Sequence, residues 1–274
     1  MSNKIYINGR PDGIGNRLEE LLRIEYHCIL NKLTCCYYWD NNGSYNRRYP
    51  ILFECINVTI QDKNKYPVNM INEVGWMSNR DQMIVAVKNV KLIKPLDTDN
   101  CEYTGVHIRT GDRIRNPVPH ADFMDINLFN RIFKFTVKQI NLEKPKYLFI
   151  CSDNEKYKNR MISKLDKDIK VVDPLISKSG LQVYDDFYAL SQSNKIYMCS
   201  KFSSFAITAS ILNNIPVVSF FDENDSNLIR YYANVIVVNL PERNKYDILV
   251  STIFDMLRSI KRLFLRARLF WKKT

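Results

Sequence analysis

The stretch that decides the fold is "TGVHIRTGDRIR", Thr104–Arg115. It opens as a short apolar strand, with Val106 and Ile108 alternating with His107 and Arg109. It then breaks at Gly111 into a polar turn carrying Asp112, Arg113 and Arg115. Side chains alternate across a strand, so His107 and Arg109 share one face. A guanidinium at a strand end offers a planar fork to phosphate oxygens. Burying His and Arg in a sheet is costly unless a specific partner is provided. Asp112 is placed to orient Arg109 or Arg113, or to accept a proton.

Outward from this stretch, apolar runs alternate with helical patterns. "GVHI", "YLFIC", "KVVD", "KIYMC", "PVVSFF" and "NVIVV" read as buried strands. "DINLFNRIFKFTVKQI", "EKYKNRMISKL", "LQVYDDFYALSQS" and "SSFAITASILNN" read as the helices between them. The alternation predicts an α/β fold with a parallel sheet covered by helices. Ligands of such sheets bind at the carboxyl ends of the strands. Three predicted strands end in chemically able residues: Arg109–Asp112, then "CSDN" with Asp153, then "CSKFSS" with Ser203 and Ser204. A serine starting a helix can cap it, and a helix N-terminus with hydroxyls also cradles phosphate.

The first hundred residues are less regular. "KIYIN" reads as a strand, "GNRLEELLRIEYHCILNK" as an amphipathic helix, and "LTCCYYW" and "PILFECI" as further strands. "DNNGSYNRRYP" is a loop by composition, and Lys94–Asn100 is the candidate linker. The expected organisation is an N-terminal α/β lobe (1–100), a second α/β lobe (101–245) and a basic amphipathic C-terminal helix (246–274). Seven Lys or Arg between Arg258 and Lys273, interleaved with Leu, Phe and Trp271, suit an anionic membrane surface or a helix packed on the protein.

The chain of 274 residues carries a formal charge of +11, which points to an anionic partner. Its seven cysteines form no CxxC pair and sit in apolar runs, so reduced thiols and a reducing compartment are expected. "MSNKIYING" lacks the apolar core of a signal peptide, and no apolar run approaches the ~20 residues of a spanning helix. A cytoplasmic protein is expected, with the inner face of a membrane as its possible station.

"GIGNRL", Gly13–Leu18, places small residues before a helix, where backbone N–H groups can face an anion. As a dinucleotide fingerprint it is imperfect: Leu18 stands where Gly or Ala belongs, although Asp40 could play the ribose-binding acid. "DTD", Asp97–Asp99, has the form of a metal-binding carboxylate pair but lies in the linker, and no metal is expected. Of the three histidines, His27 falls within the first helix and His120 is a cleft-lining candidate.

Taken in order, these motifs resemble the GT-B fucosyltransferase superfamily: the α1,2-, α1,6- and protein O-fucosyltransferases with the rhizobial nodulation enzymes. "GIGNRL" is similar to its GxGN loop, "HIRTGD" to its H-x-R-(R/T)-x-D motif, and "YLFICSDN" to a strand ending in a (T/S)D(D/N) turn. "DFYALSQSNKIYMCSKFSSF" is similar to its D-x-x-x-L-S…SS region. The resemblance implies an inverting, metal-independent transferase that needs no cofactor. It would move fucose from GDP-fucose to a glycan hydroxyl in a cleft between two Rossmann-like lobes.

The resemblance also implies roles. His107 and Asp186 would contact guanine, Arg109 the β-phosphate, Ser203 and Ser204 the diphosphate, and Asn16 the reacting sugar. Gly13, Gly15, Asp153 and Phe205 would complete the nucleotide-sugar site. Asp112 is the first candidate base and Asp122 the second. Thr110 stands where the major subgroups carry a second Arg, and Pro117 where the α1,6 group has Glu. The alternatives are a transferase with another nucleotide-sugar donor, or a basic nucleic-acid- or membrane-binding α/β protein. Nucleic acid is not the expected partner, because much of the basic excess is in the tail.

Overall fold

The structure is a computed structural model that describes residues 4–10, 12–39, 49–62, 80–111, 113–114, 124–221 and 234–240. In chain order the elements are β1 (Lys4–Asn8), α1 (Ile14–Asn31), β2 (Thr34–Trp39), β3 (Phe53–Cys55), β4 (Val58–Asp62), α2 (Arg80–Val87), β5 (Val90–Leu92) and β6 (Thr104–Ile108). They continue as α3 (Ile126–Glu143), β7 (Tyr147–Ser152), α4 (Glu155–Ile162), β8 (Lys170–Val171), α5 (Gln182–Ser191), β9 (Ile196–Cys199), α6 (Ser204–Leu212), β10 (Pro216–Phe221) and β11 (Asn234–Asn239).

The helices follow their apolar spacing. α3 buries Phe129, Ile132, Phe133, Thr136, Val137 and Ile140, the stripe of an amphipathic helix. Lys144 ends it in the left-handed region (φ 48°), returning its N–H to the Ile140 carbonyl. Lys32 ends α1 in the same way (φ 52°), bonding Cys28. β6 is buried at all five positions, as the continuous apolar run of a central parallel strand requires.

The second half forms a six-stranded sheet in the order β11-β10-β9-β6-β7-β8, and every pair in it is parallel. The chain runs outward from β6 to β7 and β8, then crosses back to β9, β10 and β11. Strand order therefore reverses between β6 and β9. In doubly wound sheets a crevice opens at the carboxyl ends of the strands at such a switch point. The three strands with reactive ends, β9, β6 and β7, lie side by side there.

The first hundred residues carry a three-stranded parallel sheet, β1-β2-β4, and a separate antiparallel pair, β3-β5. Of "PILFECI" only Phe53–Cys55 is strand, and it pairs with β5, which periodicity did not reveal. The short α2 and β4 were likewise not anticipated. The candidate linker is no free tether. Asp99 N–H bonds the Pro174 carbonyl, Ile176 N–H bonds the Asp97 carbonyl, and Thr98 bridges Leu175. Residues 1–239 form one compact unit and 240–274 another, of which only Leu240 is described. The expected C-terminal helix therefore lies outside the described residues. All seven cysteines are unpaired.

Candidate donor-binding site

Three elements converge at the carboxyl end of β6. His107 lies in register with Cys151 of β7 and Met198 of β9, and Met198 with Ser219 of β10. This row faces one side of the sheet, so Gly105, two residues before His107, faces the same way. A Cβ at Gly105 would stand 2.9 Å from Leu190 Cδ2, which places α5 on that face. The His107 ring stacks on Phe205 of α6, with centroids 5.0 Å apart and planes at 23°. Phe205 in turn meets Phe187 of α5 edge-on at 5.2 Å.

His107 is buried, and its Nδ1 has no hydrogen-bond partner among the described residues. Burial, reinforced by the nearby Arg109 charge, pulls its pKa down to about 3. The imidazole is therefore neutral at physiological pH and carries an unmet polar atom at a dry strand end. Ser200 and Ser219 add two more buried hydroxyls without a partner among the described residues. Buried polar atoms are rarely left unpaired, which makes this strand end a candidate ligand site.

Arg109 leaves the strand end with Nη1 3.5 Å from Asp153 Oδ2. The Asp153 carboxylate also accepts from Thr110, whose N–H reaches Oδ1 at 2.9 Å and Oδ2 at 3.2 Å and whose hydroxyl reaches Oδ1 at 2.9 Å. On α5, Asp185 is buried and accepts from the Ser179 N–H at 2.9 Å and hydroxyl at 2.5 Å. Asp186 is half-buried, accepts from Gln182 Nε2 at 2.7 Å, and has its pKa raised by burial.

α6 begins at Ser203, which takes the N-cap backbone conformation (φ −149°, ψ 108°) yet makes no cap bond through its side chain. The capping role expected of the serine pair is thus not filled by this hydroxyl. α1 begins at Gly13, also without a side-chain cap. The two open N-termini touch. A Cβ on Gly15 would stand 2.6 Å from the Phe205 nitrogen and 2.7 Å from Ser204 C. Glycine is required at 15 by this close backbone approach. Each open terminus presents N–H groups and the positive end of a helix dipole to an anion.

The β1–α1 loop is held from below. Arg10 pairs with Asp12 at 2.7 Å, and Asn16 Nδ2 donates to Asp12 Oδ2 at 3.2 Å. Arg17 Nε donates to the Asp12 carbonyl at 2.8 Å, and its guanidinium lies over Trp39 at 4.6 Å. Glu20 accepts from Arg10 N–H at 2.9 Å and from the Tyr37 hydroxyl at 2.6 Å. Burial raises the Glu20 pKa, and those two bonds oppose the rise.

No protein-family model matches the sequence, and no curated protein matches it. Solved structures do match. NodZ α1,6-fucosyltransferase soaked with GDP-fucose is similar with a TM-score of 0.50 at 14% identity, over 82% of this chain and 97% of its own. NodZ from Bradyrhizobium matches with a TM-score of 0.50 at 13% identity, over 81% of this chain and 95% of its own. POFUT1 in complex with GDP-fucose gives a TM-score of 0.51 at 8% identity, over 88% and 98%. This chain has a fucosyltransferase-like GT-B fold.

On this GT-B-like fold, His107, Arg109, Asp153, Ser203, Ser204, Phe205, Gly13 and Gly15 gather around the end of β6 and the two open helix termini, with Asp186 on neighbouring α5 and Asn16 in the first turn of α1. Asp112, Arg115, Pro117, His120, Asp122 and Asp40 lie outside the described residues. The carboxylate beside Arg109 is that of Asp153, which sequence reasoning placed on the nucleotide. His27 sits in α1 at hydrogen-bond distance from Asn31. Among the described residues no group of three or more His, Cys, Asp or Glu is placed to hold a metal ion.

Sequence reasoning passed over Ser200, Glu20 and Arg17, and noted Thr110 only as a departure from the motif. Arg17 stood inside the quoted "GIGNRL" motif, and its apolar neighbours were the available signal. Nothing in the linear order linked Glu20 to Tyr37.

Proposed function

We propose that this protein is a glycosyltransferase that uses a GDP-sugar, with GDP-fucose as the donor, and transfers the sugar to a hydroxyl of a glycan acceptor with inversion and without a metal. The observation that carries the reading is the strand end where buried His107, with an unmet Nδ1, sits beside Arg109 and under two open helix N-termini. NodZ and POFUT1, which share this fold, have been solved with GDP-fucose. His107 and Asp186 would read the base, one as a neutral imidazole and the other as a half-buried carboxylate.

Breaking a glycosyl-phosphate bond leaves an added negative charge on the diphosphate. Arg109 and the α1 and α6 N-termini would stabilise that charge more in the transition state than in the ground state. One such donor is worth about 10²–10³ in rate, the role a divalent metal fills in other transferases. The acceptor hydroxyl would pass its proton to a base, with Asp112 first and Asp122 second among the candidates.

The test is a thermal-shift and calorimetric panel of GDP, UDP, CDP and NAD, with and without EDTA, on the wild type and Arg109→Ala. The expected result is a response to GDP above the others, unchanged by chelation and much weakened in Arg109→Ala. An equal response to all nucleotides sinks the donor assignment.

A further inference from the structure

We propose that Asp153 and Thr110 act as positioning residues for Arg109 and do not touch the donor. The inference rests on the donor-binding reading of Arg109 given above.

The Asp153 carboxylate is already occupied. It receives three hydrogen-bond contacts from Thr110, at 2.9, 3.2 and 2.9 Å, and the Arg109 guanidinium at 3.5 Å. An ionised carboxylate has roughly four acceptor directions, so little remains for a nucleotide donor group. A diphosphate brought against it would meet like charge. The Arg109 fork, with five N–H donors, can keep one edge on Asp153 and turn another to phosphate.

The support is rigid. Asp153 N–H reaches the Ile108 carbonyl at 3.4 Å, one step beyond the parallel pairing of β6 with β7. The anchor thus begins one residue beyond the paired ends of β6 and β7 and is tied to the sheet by that bond. Gly111 closes it, since a Cβ there would stand 2.8 Å from Asp153 Oδ2. Three consecutive residues, Arg109, Thr110 and Gly111, are therefore shaped around one carboxylate.

This also accounts for Thr110. It occupies the place of the second basic residue in the motif, but it is buried and its hydroxyl is committed to Asp153. Its identity serves the anchor and does not read the donor. An arginine held in advance loses less rotamer freedom when phosphate arrives.

The experiment combines GDP titration calorimetry with ¹⁵N relaxation of the Arg109 Nε–H, on the wild type, Asp153→Ala, Thr110→Val, Thr110→Ser, Arg109→Ala and the Asp153→Ala/Arg109→Ala double variant. Arg109 Nε should be rigid in the wild type and mobile in Asp153→Ala. GDP affinity should fall about tenfold in Asp153→Ala, the equivalent of about 1.4 kcal/mol. It should fall about threefold in Thr110→Val, with one of the three contacts gone, and return in Thr110→Ser. The double variant should bind no worse than Arg109→Ala, because a residue acting only through Arg109 has no further effect once it is gone.

Additive losses in the double variant, or an Arg109 Nε that stays rigid in Asp153→Ala, overturn the proposal. A wild type that ignores GDP removes the donor reading alone; the anchor then stands or falls on Arg109 mobility.

Discussion

Helices α3 and α4 begin very differently from α1 and α6. Asp125 caps α3, its Oδ1 accepting from Asn127 N–H at 2.7 Å and Leu128 N–H at 2.8 Å. Asn154 caps α4, accepting from Lys156 N–H at 3.1 Å. α1 and α6 start at Gly13 and Ser203 with no side-chain cap, and they start against each other. α5 also lacks a cap side chain at Leu181, whose carbonyl takes the Tyr184 and Asp185 N–H groups. α3 and α4, which contribute no residue to the candidate site, satisfy their own first turn. α1 and α6 leave theirs without a side-chain cap, the arrangement that the proposed anion site calls for.

The sharpest way to break this contrast is Gly15→Ala. The new methyl would collide with the Ser204–Phe205 backbone and force the two N-termini apart. We expect GDP affinity to fall about a hundredfold, in line with the cost of an ångström-scale misplacement, and stability to fall by about 1–3 kcal/mol. Calorimetry and urea unfolding measure both, and wild-type affinity in Gly15→Ala would show that the close approach does not serve binding.

Next in size is an acid response from His107, which stacks on Phe205 in the first turn of α6. Its folded pKa, about 3, lies below the ordinary 6.5, so the unfolded chain takes up the proton first. The neutral residue's contribution is therefore fully present above pH 6.5 and lost as pH falls toward 3, by about 1.4 kcal/mol per pH unit. Urea unfolding between pH 4 and 7 should show this slope in the wild type and a shallower one in His107→Gln. Equal slopes would mean that the histidine is not held neutral by the fold.

The smallest effects are crossed. Asp125→Ala should cost about 1 kcal/mol of stability and leave GDP affinity unchanged. Ser203→Ala should change stability by less than about 0.5 kcal/mol, because its hydroxyl caps nothing, yet weaken GDP about tenfold. If Ser203→Ala behaves like Asp125→Ala, the serine is a cap after all.

Much of this architecture was legible in the linear chain. β6, β7, β9 and β10 are buried parallel strands, and buried strands read as unbroken apolar runs. α1 and α3 carry stripes of the helical period. The first hundred residues were harder, because β3 and β5 are three residues long and half-exposed, too short for alternation to register. The site divided in the same way. "HIRTGD" and "SSF" announced themselves by putting charge and hydroxyls at strand ends. The engagement of Asp153 with Thr110 did not, because those residues are 43 positions apart.

By itself, the sequence determined the α/β alternation, the location of polar chemistry at three strand ends, and which helices could form. Local periodicity and residue type are sufficient for these. Only the tertiary structure decided the strand order that puts β9, β6 and β7 together, the contact of Gly15 with α6, and the commitment of Asp153 to Arg109 and Thr110. Those depend on distances between residues far apart in the chain, which packing sets and local pattern does not encode.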